Sequence, residues 1–313
     1  MTLAFQNLKL PSPLELFDEE TFSPLGLKVW IKRDDQIHAT VSGNKWRKLK
    51  LSLEFAQREE RSPIISFGGA YSNHLYSLAH AAREIKLPSV GLVRGEIDDP
   101  GNPTLQACRE QGMTLFPLTR EEYRQRAHES YIARWQARYP NALIVPEGGS
   151  NALALPGCRE LAKELGPNFD YWLLPTASGG TLAGLASQGY ATKILGIAVV
   201  KDTSLANRVQ SLLADSGQTG PSPWQLLHDF TLSGYAKFDA NLVGFLADCY
   251  ARTGVPFDPI YSGKAVYALY QLAEKGFFPP GSAIVFIHTG GLQGILGLIQ
   301  RGLLPQGYCG FKN

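Results

Sequence analysis

Lys45 lies in a run of small, polar and basic residues, Val41-Ser42-Gly43-Asn44-Lys45-Trp46-Arg47-Lys48. The small-residue turn leads into a predicted helix, and the lysine falls in its first turn. Far downstream, Thr176-Ala177-Ser178-Gly179-Gly180-Thr181 is a glycine-rich turn from a strand into a helix, where backbone N–H groups converge and favour a phosphate. Because an amine condenses with an aldehyde, the two segments together predict a cofactor that carries both an aldehyde and a phosphate.

The helix that carries Lys45 is predicted from Asn44 to Glu59, with Asn44 as its capping residue. The positive end of the helix dipole and partial burial both favour the neutral amine, so they lower the pKa of Lys45 and make it more nucleophilic. By position alone, an exposed lysine at a helix start is the simpler explanation. The predicted apolar stripe of this helix is Trp46, Leu49, Leu53 and Ala56. The basic cluster Lys45, Arg47, Lys48 and Lys50 is more typical of a solvated helix face than of a binding patch.

Three further polar segments lie where ligands bind in open parallel sheets. Ser72-Asn73-His74 follows a strand and a Gly-Gly pair at a helix start, so its free amides and side chains predict a seat for a carboxylate, although an ordinary helix cap explains them equally well. Tyr261 and Ser262 stand at the end of a loop before the helix from Ala265 to Lys275. His288-Thr289-Gly290-Gly291 is the polar end of the last predicted strand.

Other chemistries fit these residues less well. The glycine turn is neither a Walker loop nor Gly-x-Gly-x-x-Gly. Ser42-x-x-Lys45 matches a serine acyl-enzyme pattern without its partner motifs, and Gly148-Gly149-Ser150-Asn151-Ala152 misses a nucleophile elbow by one alanine. A protein that binds a phosphorylated ligand without turnover stays open, since a phosphate cradle does not imply catalysis.

The elements that must position these residues alternate between short apolar runs and amphipathic segments, beginning near residue 62. This rhythm predicts parallel, helix-covered strands. The candidate strands are 63–67, 89–93, 114–116, 143–145, 171–174, 194–199 and 283–287. The uncharged stretch 281–300 is interpreted as strand, turn and helix, not as a membrane span, because its histidine and glycines interrupt it.

Bulk composition indicates a soluble globular protein. The 313 residues are enough for two cores, and 44% hydrophobic with 19% charged residues is ordinary for such a chain. A net charge of +2 gives no broad basic field, so no nucleic-acid partner is expected, and no membrane partner either. Four widely spaced cysteines without zinc spacing predict reduced thiols, no metal and a cytoplasmic location, and no export signal is expected at residues 1–6.

The motifs together resemble, in order along nearly the whole chain, the pyridoxal-phosphate enzymes of the tryptophan-synthase-β fold type (fold type II). Within them, the resemblance is to the D-cysteine desulfhydrase and 1-aminocyclopropane-1-carboxylate deaminase group. The blocks that carry it are Ile31-Lys32-Arg33-Asp34-Asp35, Gly43-Asn44-Lys45, Gly68-Gly69, Ser72-Asn73-His74, Pro146-Glu147-Gly148-Gly149-Ser150-Asn151, Ser178-Gly179-Gly180-Thr181, Asp258-Pro259-Ile260-Tyr261 and Gly290-Gly291.

The resemblance implies an α/β fold of two doubly wound, mainly parallel-sheet domains, with pyridoxal 5′-phosphate in the cleft between them. The implied large cofactor-binding domain comprises residues 1–45 and 147–313, and the small α/β domain comprises 46–146. A homodimer and a small amino-acid substrate are implied as well.

The resemblance also implies roles for individual residues. Lys45 is expected to bind the cofactor aldehyde, Lys48 to help hold the phosphate, Asn73 to contact the ring hydroxyl and Ser262 to face the ring nitrogen. Lys45, Tyr261 and Ser72 are the expected catalytic residues. The phosphate is expected on Ala177, Ser178, Gly179, Gly180 and Thr181, and the substrate on Ser72, Asn73, His74, Tyr261 and Thr289.

Two positions divide the group. Its deaminases carry Glu after the tyrosine and Leu before the last Gly-Gly, whereas its desulfhydrases carry hydroxyl residues, as Ser262 and Thr289 are here. A hydroxyl at the ring nitrogen favours loss of a β leaving group over a long-lived carbanion. The expected reaction is α,β-elimination by a carbon–sulfur lyase, with D-cysteine giving pyruvate, hydrogen sulfide and ammonia. The alternatives are deamination of 1-aminocyclopropane-1-carboxylate, and elimination from or deamination of another β-substituted amino acid, because Ser42, Leu75-Tyr76-Ser77 and Leu292-Gln293-Gly294 depart from the usual pattern.

Overall fold

The computed structural model describes residues 5–217, 219–231 and 237–311, and in them two β-sheets are covered by helices. The strands are β1 (Leu14–Leu16), β2 (Lys28–Lys32), β3 (Ile64–Gly69), β4 (Ser89–Arg94), β5 (Thr114–Leu118), β6 (Leu143–Val145), β7 (Tyr171–Thr176), β8 (Lys193–Ala198), β9 (Trp224–Leu227) and β10 (Ala283–Ile287). The helices are α1 (Glu19–Phe22), α2 (Asn44–Arg58), α3 (Asn73–Glu84), α4 (Pro103–Glu110), α5 (Arg120–Arg124), α6 (Glu129–Arg138), α7 (Ala154–Leu165), α8 (Gly180–Ala186), α9 (Leu205–Asp215), α10 (Ala240–Thr253), α11 (Ser262–Glu274) and α12 (Gly294–Gln300).

The larger sheet has the strand order β1-β2-β10-β7-β8-β9, and the smaller sheet has the order β5-β4-β3-β6. Every pairing is parallel except that of β1 with β2. This confirms the predicted α/β class with mainly parallel sheets. The division into one domain of residues 1–45 and 147–313 and another of residues 46–146 stays a prediction. The first of these domains includes residues 1–4, 218, 232–236 and 312–313, which lie outside the described part of the chain. Residues 1–4 also belong to the segment searched for an export signal.

Each sheet is buried on both faces. In the larger sheet, Leu173 and Phe286 pack into one hydrophobic core, and Trp172 and Val285 pack into another on the opposite face. The smaller sheet shows the same alternation, with Ile64 and Val93 in one core and Ile65, Phe67 and Leu92 in the other. Because successive side chains of a strand point to opposite faces, helices cover both sides of each sheet, as the doubly wound prediction requires.

The seven predicted strands are present, but the prediction missed β1, β2 and β9. All three residues of β1 are exposed, and β9 is a short edge strand without a fully buried residue. Strand β2, which lies between β1 and β10, begins and ends with lysine, and this hides its apolar centre from sequence analysis. Lys32 is nevertheless buried, because its ammonium group lies 2.7 Å from the carboxylate of Glu164 on α7.

The uncharged stretch 281–300 contains β10, a turn and α12, as predicted. Among the residues that the structure describes, none of the helices has the length and apolar character needed to cross a bilayer.

Helix α2 confirms the predicted apolar stripe, since Trp46, Leu49, Leu53 and Ala56 are all buried. The predicted cap is wrong. Gly43 is the N-cap, with φ +63°, and a Cβ there would lie 2.0 Å from the carbonyl oxygen of Thr289. Only glycine tolerates both the left-handed φ and this close approach, so the start of α2 is pressed against the loop after β10.

The expected solvated basic face of α2 is also wrong. Arg47 and Lys48 are fully buried, because the helix is enclosed by other elements on several sides. The Arg47 guanidinium donates to the carboxylates of Asp34 (2.9 and 3.1 Å) and Glu164 (2.6 and 2.9 Å). A buried cation requires such partners, and here they fasten α2 to α7 and to the loop after β2.

Candidate active site

A cavity of about 800 Å³ lies where loops after strands of both sheets meet. Loops after β7 and β10 of the larger sheet and after β3 and β6 of the smaller sheet form its wall. The structure brings together at this wall the predicted site residues Lys45, Ser72, Asn73, His74, Ala177, Ser178, Gly179, Thr181, Tyr261 and Thr289. Lys48, Gly180 and Ser262 are buried and do not belong to the lining.

Lys45 is the second residue of α2, and its amine reaches the cavity. Its Nζ donates a 2.7 Å hydrogen bond to Oδ1 of Asn44, whose Nδ2 donates to Oγ1 of Thr181 at 3.0 Å. Burial, and then the nearby Lys48 ammonium, lowers the pKa of Lys45 to about 7. The amine is therefore substantially neutral near neutral pH, which is the state that attacks an aldehyde.

The glycine turn 177–181 presents free donors to the cavity. Its backbone N–H groups make no hydrogen bond to any other described residue. Gly179 adopts φ +86°, and a Cβ on Gly180 would lie 2.6 Å from Oγ of Ser150 and 2.9 Å from Cε of Lys48. The two glycines thus allow the chain to turn tightly while it packs on the residues beneath it, and they leave the amides directed toward a ligand.

The hydroxyl group of Ser178 is prepared as a donor. Its Oγ accepts from Lys48 Nζ at 3.1 Å and from Ser150 Oγ at 2.8 Å. With both lone pairs engaged, only its proton remains for a ligand, and that suits a phosphate oxygen. The Lys48 amine lies directly behind the turn, and burial lowers its pKa to about 8.

The start of α3 carries the predicted carboxylate seat. Ser72 is the N-cap, and its Oγ accepts from the backbone N–H of Leu75 at 3.2 Å. The N–H groups of Asn73 and His74 make no hydrogen bond within the described chain, so they point outward from the helix start. Two free amides, the serine proton and the helix dipole together suit a carboxylate.

The imidazole of His74 is hydrogen-bonded to the hydroxyl of Ser66 on β3. The Ser66 hydroxyl donates to the carbonyl of Val145, so it accepts from Nε2 of His74 at 2.8 Å. Nδ1 is buried without a partner, and burial lowers the pKa of this imidazole well below its usual value. The backbone N–H of His74 is a free donor at this position, and the predicted contact of His74 with a substrate carboxylate stays a prediction.

Tyr261, just before α11, and Thr289, on the loop after β10, line the cavity, whereas Ser262 is buried outside its lining. The Ser262 hydroxyl donates to Oδ2 of Asp258 at 2.6 Å, and Oδ1 of Asp258 accepts from the backbone of Tyr261 at 2.7 Å. Burial raises the pKa of Asp258 against the effect of these hydrogen bonds. The predicted contact of Ser262 with a ring nitrogen stays a prediction.

Sequence reasoning missed several residues that shape the site. Asp258 and Ser150 were noted only as parts of blocks, and Gln293 only as a departure. Arg208, which donates to the carbonyl of Ala177 at 3.3 Å, stands in a helix without any local motif. The glycines beside Ser150 are a local signal that could have identified it. Asp258, Gln293 and Arg208 are linked to the site only by their tertiary contacts.

The cavity fits pyridoxal 5′-phosphate by its donor set. It offers an amine whose pKa is about 7, unpaired backbone amides at the glycine turn and a serine restricted to donating. An aldehyde at one end and a phosphate at the other match these groups.

Comparisons with known proteins agree with a site for pyridoxal 5′-phosphate. Residues 9–290 match the family model described as "Pyridoxal-phosphate dependent enzyme". A Pyrococcus furiosus protein, whose name proposes 1-aminocyclopropane-1-carboxylate deaminase activity, is 31% identical over 86% of this chain and 86% of its own. The Arabidopsis thaliana "Bifunctional D-cysteine desulfhydrase/1-aminocyclopropane-1-carboxylate deaminase, mitochondrial" is 30% identical over 95% of this chain and 80% of its own. A crystal structure of an "ACC deaminase homologue" superposes with a TM-score of 0.83 at 26% identity, covering 95% of both chains.

Proposed function

The chain belongs to the pyridoxal-phosphate-dependent enzyme family, and we propose that within it the protein is a lyase that converts D-cysteine and water to pyruvate, hydrogen sulfide and ammonia. Its fold is fold type II and its cofactor is pyridoxal 5′-phosphate, as the resemblance implied. Relatives of this chain carry the names 1-aminocyclopropane-1-carboxylate deaminase and D-cysteine desulfhydrase. The choice of substrate within that group is the proposal.

The hydroxyl residue Thr289 at the cavity wall carries the proposal. It lies on the loop after β10, where the deaminase pattern has leucine. Ser262 adds a second hydroxyl where that pattern has a carboxylate. A hydroxyl in place of a carboxylate at position 262 favours rapid loss of a β leaving group over prolonged charge at the α-carbon.

When bound, the cofactor supplies an electron-withdrawing ring that acidifies the α-carbon of an attached amino acid. The residues of this chain then hold the substrate and move its protons. The start of α3 binds the α-carboxylate through the N–H groups of Asn73 and His74 and the Ser72 hydroxyl. A carboxylate held there leaves the α-proton and the β-thiol to be oriented by the rest of the cavity wall.

Lys45 and Tyr261 are the two groups proposed to move protons. With a pKa of about 7, the Lys45 amine both accepts a proton from carbon and returns one without a large energetic penalty. Tyr261 lines the cavity, and its backbone N–H is held by Asp258 in the same loop. Its phenol is the group proposed to serve the leaving sulfur or the α-carbon. The released aminoacrylate then hydrolyses to pyruvate and ammonia.

Deamination of 1-aminocyclopropane-1-carboxylate is the second candidate, because relatives at about one-third identity carry that name. Opening a cyclopropane requires stronger stabilisation of charge than loss of a thiol does. The residue pattern at 262 and 289 therefore places this reaction second.

A product assay separates the candidates. The purified holoenzyme is mixed with D-cysteine, and sulfide and pyruvate are measured; a parallel reaction with 1-aminocyclopropane-1-carboxylate is assayed for 2-oxobutanoate. Sulfide and pyruvate above the level of a Lys45→Ala control support the proposal. Only 2-oxobutanoate would transfer it to the deaminase, and a cofactor-loaded protein without either product would indicate another β-substituted amino acid or a binder without turnover.

A homodimer and a cytoplasmic location complete the proposal. The four cysteines are buried and free, in keeping with a reducing compartment. Sedimentation equilibrium of the holoenzyme measures the oligomeric state directly.

A further inference from the structure

Gln293 lies outside the cavity lining, yet it holds a residue that belongs to it. Its Nε2 donates a 2.6 Å hydrogen bond to Oδ1 of Asn73, the first residue of α3. Its Oε1 accepts from the hydroxyl of Thr104 on α4 at 3.0 Å. One side chain from the loop before α12 is therefore fastened to two helices that cover the smaller sheet.

This contact chain has a direction. The Thr104 hydroxyl is buried and donates to Oε1 of Gln293, and Nε2 of Gln293 is the end that meets Asn73 in the structure. Oδ1 of Asn73 is thereby engaged. Its Nδ2 makes no hydrogen bond to a described residue, and it lies 3.0 Å from the position that a Cβ of Gly291 would occupy at the cavity wall.

We propose that Gln293 is a positioning residue that fixes the Asn73 amide with its NH₂ group toward the cavity, so that Asn73 donates to the ring oxygen of the bound cofactor. A primary amide offers a donor on one side and an acceptor on the other, and a turn of 180° exchanges them. A deprotonated ring oxygen needs the donor side. By donating to Oδ1 of Asn73, Gln293 leaves the NH₂ group of that amide to face the cavity.

The inference concerns the cofactor and rests on the proposed site, but not on the proposed substrate. Its measurement is the dissociation constant of pyridoxal 5′-phosphate from the protein, which requires no turnover. Failure of the D-cysteine assay therefore leaves the test intact, and failure of this test leaves the D-cysteine assay intact.

The decisive variant is Gln293→Glu. A carboxylate at position 293 accepts from Thr104 as before but cannot donate to Asn73, so the Asn73 amide turns round, donates to the new carboxylate and presents its oxygen to the ring oxygen. All polar groups in the chain remain satisfied, which keeps the fold intact. Gln293→Met has similar length and no polar end, so it leaves the amide free in both directions. Gln300→Glu, at the exposed last residue of α12, is the control for charge.

Cofactor affinity is measured by fluorescence titration of each apoprotein, with the visible absorption spectrum of each saturated protein. Gln293→Glu is expected to weaken binding by about 10-fold or more, because a repulsive pair replaces a hydrogen bond. Gln293→Met is expected to weaken it by only about 2-fold, since half of the amides still face the right way. The visible band should change in Gln293→Glu and stay unchanged in Gln300→Glu.

Three results would overturn the proposal. Gln293→Glu could bind the cofactor as tightly as the unaltered protein, which means that Gln293 does not set the direction of Asn73. Gln293→Met could be as weak as Gln293→Glu, which means that lost packing is the cause. Gln300→Glu could show the same loss, which means that charge on α12 acts from a distance. A matching thermal unfolding midpoint for all variants shows that the comparison is made between folded proteins.

Discussion

The Ser262 hydroxyl donates to the buried carboxylate of Asp258 at 2.6 Å, and the same carboxylate accepts from the backbone N–H of Ser262 at 2.9 Å. Ser262, the position that distinguishes the two subgroups by sequence, is thus hydrogen-bonded to the carboxylate of Asp258. Any exchange at position 262 also changes the surroundings of Asp258, whose pKa burial already raises.

Ser262→Glu is therefore expected to destabilise the protein by about 2 kcal/mol or more, because it buries a second carboxylate beside the first. Two such groups share protons in the folded state, so their folded pKa values lie above the unfolded ones, and the deficit grows as the pH rises. Urea unfolding at acidic and alkaline pH measures this. Asp258→Asn combined with Ser262→Glu should regain most of the stability; a Ser262→Glu protein as stable as the parent at every pH would contradict the argument.

Uptake of the cofactor by the apoprotein should accelerate as the pH rises through about 7, because the Lys45 amine loses its proton there. Lys48→Met removes the neighbouring positive charge, so the pKa of Lys45 rises and the midpoint moves to higher pH. Stopped-flow absorbance across a pH series gives both midpoints. Lys50→Met is the matched control, since Lys50 lies on the same helix and pairs with Glu160 of α7. An unmoved or lower midpoint in Lys48→Met would count against the coupling.

Tyr261→Phe should retain the cofactor and its visible band but lower kcat by about 10²- to 10⁴-fold if the phenol moves a proton. The backbone of residue 261 remains bound to Asp258, so the loop should keep its place. Steady-state kinetics with the substrate identified by the product assay provide the measurement. A kcat near that of the parent would assign all proton movement to Lys45.

Gly180→Ala should weaken cofactor binding by about 10-fold or more, because its Cβ would lie 2.6 Å from Ser150 Oγ and would push the glycine turn out of place. Gly244→Ala tests the same chemical change at a site of α10 with open space around it, and it should bind the cofactor normally. Equilibrium titration of both apoproteins decides the matter. Equal affinities would show that the turn yields without cost.

Arg47→Ala should lower the free energy of unfolding by about 3–5 kcal/mol, since it leaves Asp34 buried without its cation. Arg58→Ala removes an exposed pair with Glu59 from the same helix and should change stability by less than about 1 kcal/mol. Urea denaturation monitored by circular dichroism compares them. Similar values for the two variants would mean that the buried network contributes little.

The sequence was sufficient for much of the fold because buried parallel strands are apolar on both faces. Leu143–Val145 and Ala283–Ile287 were recognisable on that ground alone. Strand β2 was not, because the lysine at its end is neutralised by Glu164, which is more than a hundred residues away. Local patterns carry no information about such a partner.

The same division applies to the site. The chemistry of Lys45 follows from residue type and its place at a helix start, both of which are local. The Asn73 amide is hydrogen-bonded to Gln293, which is bonded in turn to Thr104, and the Ser262 hydroxyl is hydrogen-bonded to Asp258. His74 looked available in the sequence, but the Ser66 hydroxyl on β3 occupies one ring nitrogen. Orientation is a tertiary property, whereas residue type is not.

Strand β10 lies between β2 and β7, and the Asn44 N–H donates to the carbonyl of Thr289 at 3.2 Å. During synthesis on a ribosome, the reactive amine of Lys45 is made early, but Thr289, against which the start of α2 packs, emerges about 240 residues later. The smaller sheet, whose strands are contiguous in the chain, has all its parts much sooner. A nascent chain therefore carries an incomplete amine site for most of its elongation, and capture of the vitamin-derived aldehyde becomes one of the last events of maturation.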